Sequence, residues 1–259
     1  AAPYLNSLVR DSAAALFTQS YALTHPSQPN YLMLFSGSDQ GVTNNGIPKN
    51  LPFTSANLGA GLLQAGRTFA GYSEDLPATG FDGKSSGHYA RKHNPWVNWQ
   101  GSETNGIPGA LNLPLTSFPS NYDLLPTVSF VIPNQEHDMH NGTDPERINT
   151  ADAWLRDHLD GYVQWAQAHN CLFIITFDEG HERPGDRVDR IFGFFRDEDE
   201  GGSSESNHIF TVFVGEMVKH GRYDQRIDHY SVLRTIEGMY GLPHAGSSAD
   251  YPAISNVWK

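Results

Sequence analysis

The segment Thr24-His25-Pro26-Ser27-Gln28-Pro29-Asn30-Tyr31 gathers residues that suit attack on a phosphoryl group. Pro29 can occupy the first turn of a helix, where a missing N–H costs nothing. A hydroxyl at Ser27 would then sit at the positive helix end, whose backbone N–H groups hold phosphate oxygens. Asn30 lies three residues on and can donate its amide to the same oxygen. The same pattern also reads as an ordinary helix start with Ser27 as its N-cap.

Further along, Pro133-Asn134-Gln135-Glu136-His137-Asp138-Met139-His140-Asn141-Gly142 follows an apolar strand-like run and packs carboxylates and imidazoles together. Asp138 and His140 are the ligand types of borderline divalent metals such as zinc or iron; a hydrogen-bonded loop closed by Asn141-Gly142 is the alternative. Asp178 and Glu179 end the most apolar strand of the chain. Adjacent carboxylates leaving a buried strand are costly unless a cation or strong donors meet them, and metal ligation is the simplest account. Asn207-His208 precedes another apolar run, and Asp228 stands where a helix cap belongs. Arg91-Lys92-His93-Asn94-Pro95 is a compact basic cluster in an acidic chain, suited either to substrate phosphate or to a solvated surface.

Short runs rich in β-branched and aromatic residues must position these groups. They fall at residues 69–72, 128–132, 172–177 and 209–214, alternating with segments of helical period. In residues 150–169, Trp154, Leu155, Leu159, Tyr162, Val163 and Ala166 recur at helical spacing, which predicts a crossover helix. A last helix over 229–240 places Val232, Leu233, Ile236 and Met239 on one face and stops at Gly241. The pattern predicts an α/β fold, a mainly parallel sheet sandwiched by helices, with ligands at the carboxyl ends of the strands. Residues 79–120 form the longest irregular region, dense in polar and aromatic residues, which is the signature of a functional or mobile loop.

At 259 residues with 38% hydrophobic content, one domain spanning residues 1–259 is the default expectation. A formal charge of −12 argues against a sequence-independent grip on nucleic acid, which needs clustered Lys and Arg. No apolar stretch reaches the roughly 18 residues of a membrane span. One cysteine, Cys171, excludes an internal disulfide, and its place before an apolar run predicts an inert buried thiol. The chain starts at Ala1-Ala2-Pro3 without an initiator Met, as a processed or truncated form would.

Six motifs in order then carry a resemblance over nearly the whole chain. They are Ala2-Pro3-Tyr4-Leu5-Asn6-Ser7-Leu8, His25-Pro26-Ser27-Gln28-Pro29-Asn30-Tyr31, Lys92-His93-Asn94-Pro95, Pro133-Asn134 with Asp138-Met139-His140, Thr176-Phe177-Asp178-Glu179, and the stretch from Asp228 to Glu237. The chain resembles the bacterial phosphoesterase family that groups acid phosphatases with phospholipase C-like enzymes, in the alkaline phosphatase superfamily. The resemblance implies a metal-dependent phosphomonoesterase working through a phosphoserine. Ser27 is its nucleophile, which also faces the metal, and Asn30 its catalytic and phosphate-binding amide. Asp178 and Glu179 match metal ligands, with Asp138 and His208 as further metal-facing groups. His140 completes the metal shell or protonates the leaving group, and His93 contacts substrate. It implies a divalent ion (zinc, iron, calcium or magnesium), a small phosphate ester as substrate, and a secreted or periplasmic location.

Two departures follow from the resemblance. Relatives begin with a buried strand ending in a metal-binding Glu-Asn pair, which this sequence does not include, so the first strand of the sheet is expected to be lacking. Residues 180–196 read as an insertion. With the same core residues, a phosphodiesterase or phospholipase C is the rival, the aromatic stretch Trp96–Trp99 serving a lipid or nucleoside; a non-catalytic relative is another. A serine esterase lacks its Gly-x-Ser-x-Gly elbow.

Overall fold

The computed structural model describes residues 2–180 and 207–259, so all but Gly180 of the expected insertion lies outside the described residues. In chain order the regular elements are α1 (Pro3–Val9), β1 (Ala14–Phe17), β2 (Ser20–Tyr21), α2 (Ser27–Ser36), α3 (Leu58–Gln64), β3 (Phe69–Ser73), β4 (Ser85–Ser86), β5 (Tyr89–Ala90) and β6 (Asn112–Pro114). Then come β7 (Val128–Ile132), α4 (Glu146–Ala166), β8 (Phe173–Thr176), β9 (Thr211–Val214), β10 (Gly221–Tyr223), β11 (Ile227–Asp228) and α5 (His229–Tyr240). They fall into two compact units. The first takes the described residues of Ala1–Thr24, Met139–Asp228 and Ile254–Lys259; the second takes His25–Asp138 and His229–Ala253.

The first unit is built on a four-stranded sheet of order β10-β1-β9-β8. Strands β1 and β10 run parallel, while β9 is antiparallel to both β1 and β8. This reversal departs from the parallel pattern and has a consequence for function: β8 ends where β9 begins, with Thr176 opposite Thr211. Residues following β8 and residues preceding β9 therefore share one end of the sheet. Every position of β1 and β9 is buried, and Phe17 meets Phe213 edge-on at 4.9 Å. Such inner strands are continuously apolar because both faces are covered.

Helix α1 packs on α4, and its start is secured from there. Its own N-cap, Ala2, supplies no side-chain bond, so Asp152 of α4, 3% exposed, accepts from the N–H groups of Tyr4 at 2.9 Å and Leu5 at 2.8 Å. Two orphan donors of the first turn are thus met by a carboxylate, which also complements the helix dipole. Asp152→Ala is expected to destabilise the protein by about 2 kcal/mol, because two charge-assisted bonds are lost and buried donors are left bare. Urea unfolding monitored by circular dichroism checks this.

The second unit carries a fully parallel sheet of order β6-β3-β7, with Phe69 to Ser73 in register with Val128 to Ile132. Phe35, Phe69, Phe130, Trp96 and Trp99 form its aromatic core. Gly71 makes room for it: a Cβ there would come within 2.2 Å of the Trp96 ring. Trp96 and Trp99 are fully buried, with Nε1 of Trp96 donating to Asn112 Oδ1 and Nε1 of Trp99 to the Ser55 carbonyl, both at 2.8 Å. The aromatic stretch Trp96–Trp99 is core and offers no face to a lipid or nucleoside.

Strand β7 and helix α5 match the sequence expectation residue for residue, β3 and β9 differ from it by one to two residues at an end, and β8 by one residue at each end. Cys171 is half-buried, not buried, because it lies in the turn that precedes β8. The region 79–120 is ordered by the β4–β5 hairpin, 3-10 turns and β6. Among the described residues no helix is long and apolar enough to cross a membrane.

Candidate active site

In the second unit, α2 opens at Ser27. Pro26, in extended conformation, holds the N-cap position and makes no side-chain cap bond. Ser27 is therefore the first helical residue and not the cap, with 3% exposure. Asn30 is fully buried one turn on, its Nδ2 3.5 Å from the Pro26 carbonyl. One first-turn amide is not available to a ligand: the Gln28 N–H donates to Asn45 Oδ1 at 3.0 Å.

The helix face that starts at Ser27 continues at Tyr31, four residues later. Tyr31 lies against the His93 ring, with centroids 5.1 Å apart. His93 is buried, and its Nδ1 lies 3.4 Å from Asp138 Oδ2. The turn carrying His93 is tied to the end of β3, where Ser73 Oγ donates to Asn94 Oδ1 at 3.0 Å. The segment after β7 is tied to the same end, because Glu74 accepts from Asn134 N at 2.9 Å and meets His137 Nδ1, and Asp75 accepts from Asn134 Nδ2 at 2.7 Å. Ser27, Asn30, His93 and Asp138 thus belong to one unit, and Asp138, read from sequence as metal- or phosphate-facing, is set beside His93.

In the first unit, Asp178 and Glu179 follow β8 and are half-buried. His208 precedes β9, and the antiparallel pairing brings it to their end of the sheet. Its Nε2 lies 3.0 Å from the Thr18 carbonyl. A carbonyl only accepts, so Nε2 bears a proton, and a hydrogen bond of this kind fixes the orientation of the ring. Asn207, to which the sequence assigns no role, holds this end together. Its Oδ1 accepts from Gly180 N at 2.7 Å, its Nδ2 donates to the Thr24 carbonyl at 2.9 Å, and its carbonyl accepts from Ala22 N. It does so from a left-handed φ of 79°, which Asn tolerates better than most residues. Gly180 is packed so closely that a Cβ would lie 2.8 Å from the His208 carbonyl oxygen.

His140 follows Asp138 by two residues and falls in the first unit. It is exposed, its Nδ1 3.1 Å from Asn141 Oδ1. By type, two carboxylates and an imidazole suit a divalent cation. Among the described residues no three His, Cys, Asp or Glu side chains converge into a closed group.

Fold comparison places the chain with a first class of proteins. A solved protein of the alkaline phosphatase superfamily from Vibrio parahaemolyticus superposes with a TM-score of 0.57, over 97% of this chain and 64% of that one, at 12% identity. The fold is that of the alkaline phosphatase superfamily. The model of the Phosphoesterase family matches residues 1–243, and the chain belongs to that family. It is 44% identical, over 99% of its length and 76% of the relative's, to a phosphatidylinositol-3-phosphatase of Mycobacterium tuberculosis. It is 29% identical, over 91% of its length and 50% of the relative's, to an acid phosphatase of Aspergillus fumigatus. The chain therefore spans three quarters of one curated relative and half of the other. Its chemistry is the hydrolysis of phosphoric esters.

Proposed function

We propose that the protein hydrolyses phosphate monoesters through a phosphoserine on Ser27, with a divalent cation bound by Asp178 and Glu179. The observation that carries this reading is Ser27 itself, a buried hydroxyl residue at the first position of α2 that is not spent as the helix cap. The names of the two relatives, both phosphatases, support it.

Ser27 attacks phosphorus, the ester oxygen departs as an alcohol after taking a proton, and water then cleaves the phosphoserine to release inorganic phosphate. Asn30 donates its amide to a phosphoryl oxygen as negative charge gathers there. Asp178 and Glu179 would hold the cation, with His208 as a further donor. When bound, such an ion supplies positive charge that stabilises an alkoxide and the phosphoryl oxygens. His93, oriented by Asp138 and backed by Tyr31, contacts the substrate phosphate; a role for His140 would have to be played from an exposed turn. We assign the enzyme, on its family resemblance, to the periplasm or the exterior of the cell, and fractionation tests this.

A dianionic monoester offers one more charged oxygen than a diester, so a cationic or donating neighbour favours it selectively. His93→Ala is expected to lower the ratio of phenyl phosphate to bis-phenyl phosphate turnover about tenfold, a shift of roughly 1.4 kcal/mol. A ratio that does not move removes His93 from substrate recognition, and a wild type that prefers the diester overturns the monoesterase reading.

A further inference from the structure

A cavity of about 450 Å³ lies wholly in the second unit and is bordered by Gln28, the residue after Ser27, and by Arg91 and Lys92, the residues before His93. Its size suits a sugar-sized moiety. Its charge is opposite to that of the chain: Lys84, Arg91 and Lys92 line it and no carboxylate does, although Asp and Glu outnumber Lys and Arg by 29 to 17.

Arg91 is the second observation. Its side chain is 3% exposed, yet Nε and Nη1 have no hydrogen-bond partner. Asp82 acts on it through charge, yet no hydrogen bond meets these two nitrogens, and a guanidinium stays charged, so its burial is costly without an acceptor. The β4–β5 hairpin sharpens the point. Ser85 pairs with Ala90, and Arg91 N–H donates to the Lys84 carbonyl at 3.1 Å, so Lys84 and Arg91 are directly opposed across the ladder. Opposed like charges are unfavourable unless an anion lies between them. The rest of the lining is amide. Gln28 Nε2 holds the Asn44 and Gly46 carbonyls, which fixes that wall, and Asn45 and Gln135 add hydrogen-bonding groups suited to hydroxyls.

We infer that this cavity is a leaving-group subsite for a polyol that carries a second anionic group, held by Arg91 and Lys84 while the phosphoryl group to be transferred lies at Ser27. The inference rests on the monoesterase reading for its role in turnover, and its binding can be tested apart from turnover.

Isothermal titration of the Ser27→Ala protein with fructose 1,6-bisphosphate and with fructose 6-phosphate is the test. The bisphosphate is expected to bind at least about tenfold more tightly, as a buried charge-assisted contact provides. Adding Arg91→Gln should bring the two affinities together. Lys84→Ala, at an exposed position that does not endanger folding, should narrow the gap at least about threefold. Equal affinities, or a gap that survives both substitutions, overturn the inference. Water-soluble dibutanoyl phosphatidylinositol 3-phosphate, whose phosphodiester is the second anion, is titrated alongside. Tighter binding than the bisphosphate assigns the subsite to a lipid headgroup, weaker binding assigns it to free sugar phosphates, and either outcome supports a second-anion site. A binding preference in a wild type that turns over no monoester would refute the proposed function and leave the subsite standing; turnover without the preference would do the reverse.

Discussion

Ser27→Ala is expected to lower monoester turnover by at least about three orders of magnitude, the scale seen when a covalent nucleophile is removed. The substitution is local: alanine removes one oxygen from the first helical residue, and the cap position belongs to Pro26. The thermal midpoint should move little, and the loss should appear in kcat more than in KM, since a nucleophile acts in the transition state. Acid quench of the wild type during turnover should trap a phosphorylated peptide containing Ser27, and the variant should yield none. Substantial residual activity, or a phosphopeptide from elsewhere in the chain, would remove Ser27 from the mechanism. Ser27→Thr separates chemistry from structure: it keeps a hydroxyl but adds a methyl in a fully packed place, so partial activity with a reduced midpoint is expected.

What the sequence made legible, and what it hid, divides along the physics of local and distant contacts. Strand β7 was readable because Val128-Ser129-Phe130-Val131-Ile132 is a run of strong strand formers, and α5 because its apolar face recurs at helical spacing up to Gly241. Strand β1 was not, since Ala14-Ala15-Leu16-Phe17 has little strand propensity of its own. It is a strand because β9 and β10 flank it on both sides, a pairing between residues some 200 positions apart that no local window contains. Helix α4 begins at Glu146, ahead of the expected residue 150, and its first turn adds one buried apolar residue, Ile148, to the face read from sequence. The site shows the same division. Ser27, Asn30, Asp178 and Glu179 stand in motifs at element ends, which a sequence displays directly. Asn207, a clasp on Gly180 and Thr24, carried no signal beyond its neighbour His208. Arg91 stood in a basic cluster that reads equally well as solvated surface, and only the burial of its Nε and Nη1 without a hydrogen-bond acceptor distinguishes it.

Asp178→Asn and Glu179→Gln are each expected to reduce bound divalent metal and lower kcat/KM by at least about a hundredfold, as loss of a ligand does. The fold should survive both. The two residues follow β8 at the end of the sheet, half-buried, and not within the packed strands Thr211–Val214 and Ala14–Phe17. The amides keep shape and hydrogen-bonding capacity while removing the charge that a hard cation requires. The direction of any stability change discriminates between accounts. In chelator-treated protein, where no ion is bound, neutralising one should change the thermal midpoint little. In metal-loaded protein the same substitution should lower it, because an ion bound to the native state alone stabilises that state by mass action. Metal content by plasma mass spectrometry, set beside midpoints with and without chelator, measures both effects. Unchanged metal content in both variants, together with midpoints indifferent to chelator in the wild type, would remove Asp178 and Glu179 as ligands. The carboxylates would then be met by protein donors alone, and activity that survives chelator would follow from the same result.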